Sequence, residues 1–129
     1  MRNKPGGGAH EIGQPGQSRH FYRVFIQRFP ADPRAAQAYL AIGQSFTNEK
    51  QYPNAAADFQ RLLATYSQAP EVPEAMWQLS MAFIQLHFCA DARSPLGDLV
   101  KRFPTSSPAA EARREIKSLK NFPKAACTS

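Results

Sequence analysis

The chain has little from which an active centre is usually assembled. Its two cysteines, Cys89 and Cys127, have no metal-ligand spacing and no histidine cluster beside them, so neither a zinc site nor a disulfide framework is supported. Cys89, between Phe88 and Ala90, reads instead as a small core residue. His10, His20 and His87 form no constellation, with no serine–histidine–aspartate arrangement and no paired histidines on a helix face. The Gly6–Gly7–Gly8 run lacks both a preceding strand and the lysine and hydroxyl residue of a phosphate loop. No catalytic, cofactor-binding or metal-ligating residue is assigned, and no cofactor or metal is expected. Apolar runs are short too: none approaches the roughly 18 residues of a membrane span, and no apolar stretch follows Arg2 and Lys4 to make an export signal. As written, the chain reads as cytoplasmic, or as periplasmic or envelope-located if its start is truncated.

What is present suits one ordinary domain: 129 residues, 43% hydrophobic and 20% charged. The net charge of +6 favours acidic partners, whether nucleic acid, an anionic membrane surface or an acidic protein patch, without choosing among them. Arg113, Arg114, Lys117, Lys120 and Lys124 form one basic cluster and Arg19, Arg23 and Arg28 another. Neither is interleaved with aromatic residues as a stacking platform would be, so both read as solvated faces of terminal helices and not as nucleic-acid sites.

The strongest positive signal is repetition. Phe29, Tyr66 and Phe103 stand 37 residues apart, as do Ala38, Ala75 and Ala112, and Ile42, Leu79 and Ile116. A self-similar unit of this length cannot bury its apolar face alone and becomes stable by stacking on its neighbours. Residues 1–16, rich in glycine and proline, are expected to be a disordered or loosely docked tail, residues 17–121 the repeat domain, and residues 122–129 a flexible end. Phe21, Tyr22, Phe25, Ile26 and Phe29 recur at helical spacing from about Ser18 until Pro30 stops the helix. Asp32 and Pro33 then supply a cap and a first-turn proline for a helix reaching about Asn48. A third helix follows the turn at 51–54, and a fourth, the most apolar, runs from about Pro70 to His87. His87 reads as a partly exposed helix-end residue. Pro95 places the start of the fifth helix near Ser94, because proline costs about 3 kcal/mol in a helix interior. Ser107 is the expected cap of the sixth, with Pro108 at its first position.

The unit beginning at Ala36 shows Tyr39, Ile42, Gly43, Phe46, Ala55, Phe59 and Leu62, and the next shows Met76, Leu79, Ser80, Phe83, Ala92, Leu96, Leu99 and Pro104. This pattern resembles the tetratricopeptide repeat over about residues 18–120. The resemblance implies an all-α solenoid of about six antiparallel helices in a right-handed superhelix, with Ser18–Pro30 as the second helix of a unit lacking its first. Gly43 and Ala55 would let helices approach closely and Phe59 would fill the space between pairs. The 37-residue period and the aromatic–proline links at Phe29–Pro30 and Phe103–Pro104 are similar to the C-terminal repeats of the Tol-Pal-associated periplasmic proteins, and more loosely to the lipoprotein of the outer-membrane barrel-assembly machine. Ser67 departs from the motif. Those families imply scaffolding in bacterial envelope and cell-division assembly.

By the same resemblance, the first helix of each unit lines a concave face that takes a protein or peptide. Gln44, Asn48, Trp77, Gln78, Met81, Ile84, Gln85 and Arg114 are the candidate contacts: Trp77, Met81 and Ile84 as apolar anchors, the amides for the ligand backbone, and Arg114 for an acidic group. Trp77 equally suits the core, since its helix is apolar on nearly every side. A second reading is self-assembly, because half-units at both ends leave Phe21, Tyr22, Phe25 and Ile26, and Ile116 and Leu119, without their usual cover.

Overall fold

The computed structural model of the chain describes residues 9–121. The expectations for residues 1–8 and 122–129, including Lys124 and Cys127, lie outside the described residues. The described part is all-α: α1 (Ala9–Arg28), α2 (Arg34–Asn48), α3 (Tyr52–Thr65), α4 (Val72–Gln85), α5 (Cys89–Arg102) and α6 (Ser107–Asn121). Each helix packs on the next in chain order, and α4 also touches α2 and α6. The helices are therefore laid side by side as two complete pairs, α2–α3 and α4–α5, flanked by half-pairs, as a solenoid requires.

The repeat is written in the backbone as well as in the side chains. The amides of Phe29, Tyr66 and Phe103 donate to the carbonyls of Phe25, Leu62 and Leu99 at 2.8, 2.8 and 2.9 Å. Those of Asp32, Ala69 and Ser106 donate to the carbonyls of Phe29, Tyr66 and Phe103. The second and third links share this turn although one carries Ser67 where the other carries Pro104, so proline is not required for its geometry. Within the pairs, Gln51 and Phe88 donate to Phe46 and Phe83, and Lys50 and His87, 37 residues apart, both adopt positive φ. This is a Schellman-type closure of α2 and α4, with a lysine and a histidine at the left-handed position usually taken by glycine. His87 is exposed and lies just past the helix end.

Several boundaries differ from those the sequence suggests. The first helix extends back past Ser18, and Gly13 interrupts it with φ 65°, a conformation that glycine adopts without strain. Pro15 then falls in the first turn after that break. The third helix starts at Tyr52, with Pro53 in its first turn. The fifth starts at Cys89 and not near Ser94, so Pro95 lies inside it. Burial accounts for the extension: Cys89 and Ala92 are wholly inaccessible, and only a helical first turn carries both inward. Cys89 is disulfide-bonded, which the two unpatterned cysteines did not suggest. At the last helix Ser106, not Ser107, is the cap, its hydroxyl accepting from the Ala109 amide at 3.2 Å and donating to the Phe103 carbonyl at 2.8 Å.

The core runs as a continuous seam between helices, from Ala36, Ala55, Phe59 and Leu62 to Val72, Ala75 and Leu79, and on to Leu96, Leu99, Ala112 and Leu119. At its tightest point a Cβ built on Gly43 would lie 2.3 Å from Cε1 of Phe59, whose ring is wholly buried. The equivalent pair in the next unit is Ser80 and Leu96, both fully buried, with Ser80 Oγ donating to the Met76 carbonyl at 2.8 Å. Small-with-large has become medium-with-medium at roughly constant summed size. Gly43→Ser is therefore expected to cost about 1–3 kcal/mol by overpacking. Adding Phe59→Leu, which recreates the second unit's pair, should recover most of that loss in urea unfolding, whereas simple additivity of the two losses would show that the residues do not share one space.

Candidate partner-binding face

Because α4 touches both α2 and α6, the first helices of successive units are neighbours, and residues 37 apart share a register across them. Leu40, Trp77 and Arg114 make one such row, and Gln44, Met81 and Ser118 another. Thr47 with Ile84, and Asn48 with Gln85, extend the face toward the helix C-termini. Gln44, Trp77, Gln78, Met81 and Ile84 are half-buried, while Asn48, Gln85 and Arg114 are exposed. None of the eight candidate residues is fully buried. Trp77, Ile84 and Leu40 rest against the core on one side and keep part of their surface accessible.

Local hydrogen bonds hold two of the polar candidates in place. Gln78 donates from Nε2 to Glu74 Oε2 at 2.8 Å, one turn back on α4. Arg114 donates to Glu111 Oε1 at 2.5 Å, both side chains being more than half exposed. An exposed pair of this kind contributes little to stability and exchanges readily for an incoming carboxylate. Gln44 and Asn48 also line a cavity of about 390 Å³ against α1, together with Ser18, Tyr22 and Ala41. The face thus continues onto the first helix at that end.

The N-terminal arginine cluster is not a uniformly solvated face, and here the structure corrects the sequence. Arg19 donates to Ser45 Oγ at 2.6 Å, pairs with Glu49 at 3.2 Å, and lies over the Phe46 ring at 4.2 Å from its centroid. Arg23 grips Asp58 through both guanidinium nitrogens at 2.9 and 3.0 Å, and Arg61 adds a third contact at 2.9 Å. Asp58 is 1% exposed, so this fork, reaching from α1 to α3, is what makes a buried carboxylate tolerable there. The hydrogen bond to Asp58 raises the Arg23 pKa above its ordinary value, outweighing the effect of burial. Sequence reasoning passed over Asp58, though one carboxylate beside Phe59 in an apolar stripe was the available signal. In the other cluster, Arg113 donates to the Pro104 carbonyl at 2.6 Å, and Lys117 and Lys120 are exposed.

At the head of α2 the Asp32 carboxylate accepts from the Arg34 amide at 2.8 Å and from the Arg34 guanidinium at 3.1 and 2.9 Å. The expected capping role is thus performed by Asp32, although Pro33 precedes the first helical residue. Those bonds, the side-chain ones foremost, lower the Asp32 pKa to about 2. The arginine beneath it also stacks on Phe25, 5.2 Å from the ring centroid, linking α1 to α2.

The tetratricopeptide repeat family model matches residues 37–69, which spans most of α2, all of α3 and the link after it. No curated protein matches the chain. The chain thus carries a tetratricopeptide repeat within an all-α helical array of the same kind. Such repeats generally mediate protein–protein interaction and are typically non-catalytic. No described helix is long and apolar enough to cross a membrane.

The Asp32 cap gives a pH dependence with a definite sign. Its folded pKa is depressed, so its contribution is complete above the ordinary carboxylate range and is lost as pH falls from about 4 through about 2. A carboxyl titration followed by NMR should place the Asp32 midpoint near 2, and Arg34→Ala should return it toward the ordinary value. An unshifted midpoint in the unaltered protein would rule out the Asp32–Arg34 fork.

Proposed function

We propose that the chain is a non-catalytic scaffold whose interaction unit, residues 17–121, holds a peptide or protein segment along the face formed by α2, α4 and α6. The observation that carries this reading is the half-buried strip Trp77, Met81 and Ile84 on the middle helix, flanked by amide side chains on either side. A tryptophan beside a flexible thioether is the kind of anchor that dominates peptide interfaces. Gln44, Asn48, Gln78 and Gln85 serve the ligand backbone, and Arg114 leaves Glu111 for an acidic group of the ligand. The 37-residue period and aromatic–proline links support a place in bacterial envelope or cell-division assembly, where related repeat arrays act as adaptors. Nucleic acid is a poorer fit, because Arg19 and Arg23 are engaged by Ser45, Glu49 and Asp58.

Selection of binders from a displayed random-peptide library, followed by NMR mapping on the protein, tests this directly. Selected peptides should perturb the rows through Leu40, Trp77 and Met81. Trp77→Ala should weaken them by roughly 30-fold, the equivalent of about 2 kcal/mol, while far-UV circular dichroism stays unchanged. Unchanged affinity would remove Trp77 from the site, and loss of helicity would make it a core residue.

A further inference from the structure

The second helices α3 and α5 both pack on α4 but not on each other. Between them lies a cavity of about 480 Å³. Its floor is apolar: Leu63 of α3 and Met76, Leu79 and Phe83 of α4 line it, with Leu63 and Phe83 only half-buried. Its α5 wall is polar, with Asp91, Ser94 and Asp98 along it and Arg102 at the far end. A cavity of this size, apolar below and polar at one rim, has the character of a binding site. None of the eight candidate contacts on the first helices lines it.

The 37-residue register shows what this cavity lacks. One repeat earlier, Arg23 reaches from α1 to Asp58 of α3, and Arg61 completes the cluster. The corresponding residues here are Gln60, Pro95 and Asp98. The bridging arginine has become a shorter neutral amide, the buried carboxylate a proline, and the outer cation an anion. Asp98 accordingly has neither an ion pair nor a side-chain hydrogen bond among the described residues. Arg102, one turn further along α5, lies over the Phe103 ring at 5.0 Å from its centroid and does not pair with it. Asp91 sits in the first turn of α5, where its charge complements the helix dipole, whereas Asp98 is in mid-helix and has no such role. An unpaired carboxylate at the rim of an apolar cavity selects a cation carried by an apolar segment.

We propose that the cavity between α3 and α5 is a second docking site, for a peptide segment of a partner protein in which an arginine stands beside a large apolar side chain. The apolar side chain covers Leu63, Leu79 and Phe83. The guanidinium pairs with Asp98 and donates to Ser94 one turn back, supplying from outside what Arg23 supplies internally one repeat earlier. This chain's own exposed Arg28 and Phe29 are a poorer fit, because Phe29 is stacked on Phe25 at 5.2 Å and its carbonyl holds the Asp32 amide in the turn. The cavity is separate from the Trp77 strip, and the two faces can succeed or fail independently.

A displayed peptide library with one fixed arginine flanked by randomised leucine, phenylalanine and methionine, panned on the full chain, tests this, with synthesised hits followed by NMR. Hits should shift the amides of Leu63, Phe83 and Asp98. Asp98→Lys should weaken them by about fivefold or more at low salt, and replacing their arginine by glutamate should abolish binding, while Trp77→Ala leaves it unchanged. Asp98 is exposed, so its substitution is compatible with folding, which circular dichroism verifies. A second variant, Gln60→Arg with Pro95→Asp, recreates the preceding repeat's tie between α3 and α5 and should block the hits with Asp98 in place. Absence of hits, hits indifferent to either variant, or hits that Trp77→Ala removes would overturn the proposal. Self-association of the protein that Asp98→Lys abolishes would overturn it in favour of a second copy. Capture of hits only by a chain carrying Lys124→Glu would overturn it in favour of this chain's own C-terminal segment.

Discussion

Everything in this molecule hangs on how closely two helices of a pair can approach. At Gly43 the absence of a single carbon leaves room for the Phe59 ring, which is thereby removed from water altogether. Full burial of such a side chain is worth about 1.5–3 kcal/mol, and its position fixes the spacing of α2 and α3. The next pair solves the same problem with Ser80 and Leu96, taking up in the serine the volume given away by the leucine. Pair spacing is kept though the residues are not. That is why a 37-residue pattern can decay in identity and still stack.

Closely spaced pairs leave two kinds of surface. One is the row of first helices, where positions that would be core in an isolated bundle stay half-accessible because no described residue lies above them. The other lies along α1, where Tyr22 stays partly exposed although Phe59 and Leu96, in the same register of α3 and α5, are fully buried. The charged residues sort along the same division. Arg23 reaches from α1 to the buried Asp58 of α3 and is bound there, whereas Arg114 and Arg28 are exposed with weak partners or none among the described residues. A net charge of +6 is therefore a poor guide to partners until the arginines already committed to internal carboxylates are set aside.

Legibility in the sequence followed the physics of periodicity. Helices and their order were readable because apolar residues at three- and four-residue spacing line up into one buried stripe only on a helix, and the 37-residue echo located the pairs. Helix starts were less so. Pro95 suggested a late start for α5 by local cost alone, but the burial of Cys89 and Ala92 outweighs that cost, and burial is a tertiary quantity. Ser106 and Ser107 are indistinguishable as caps until the chain direction at Phe103 is known. The candidate face was legible as a set of first-helix positions, while the Arg23–Asp58 fork was not, because its partners lie 35 residues apart and fall outside the repeat's own register. The exposure of Tyr22 followed from counting half-units, whereas the closeness of Phe59 to Gly43 is visible only in the packed structure.

Stacking of interdependent pairs makes a graded prediction about local stability that no single-centred bundle shares. Native-state hydrogen exchange reads it residue by residue. Amides of α3 and α4, which have at least two helices on either side in the described array, should exchange slowest, with protection falling off through α2 and α5 toward α1 and α6. Uniform protection across all six helices, or a maximum in α1, would mean that the helices are not stabilised by their neighbours in sequence order.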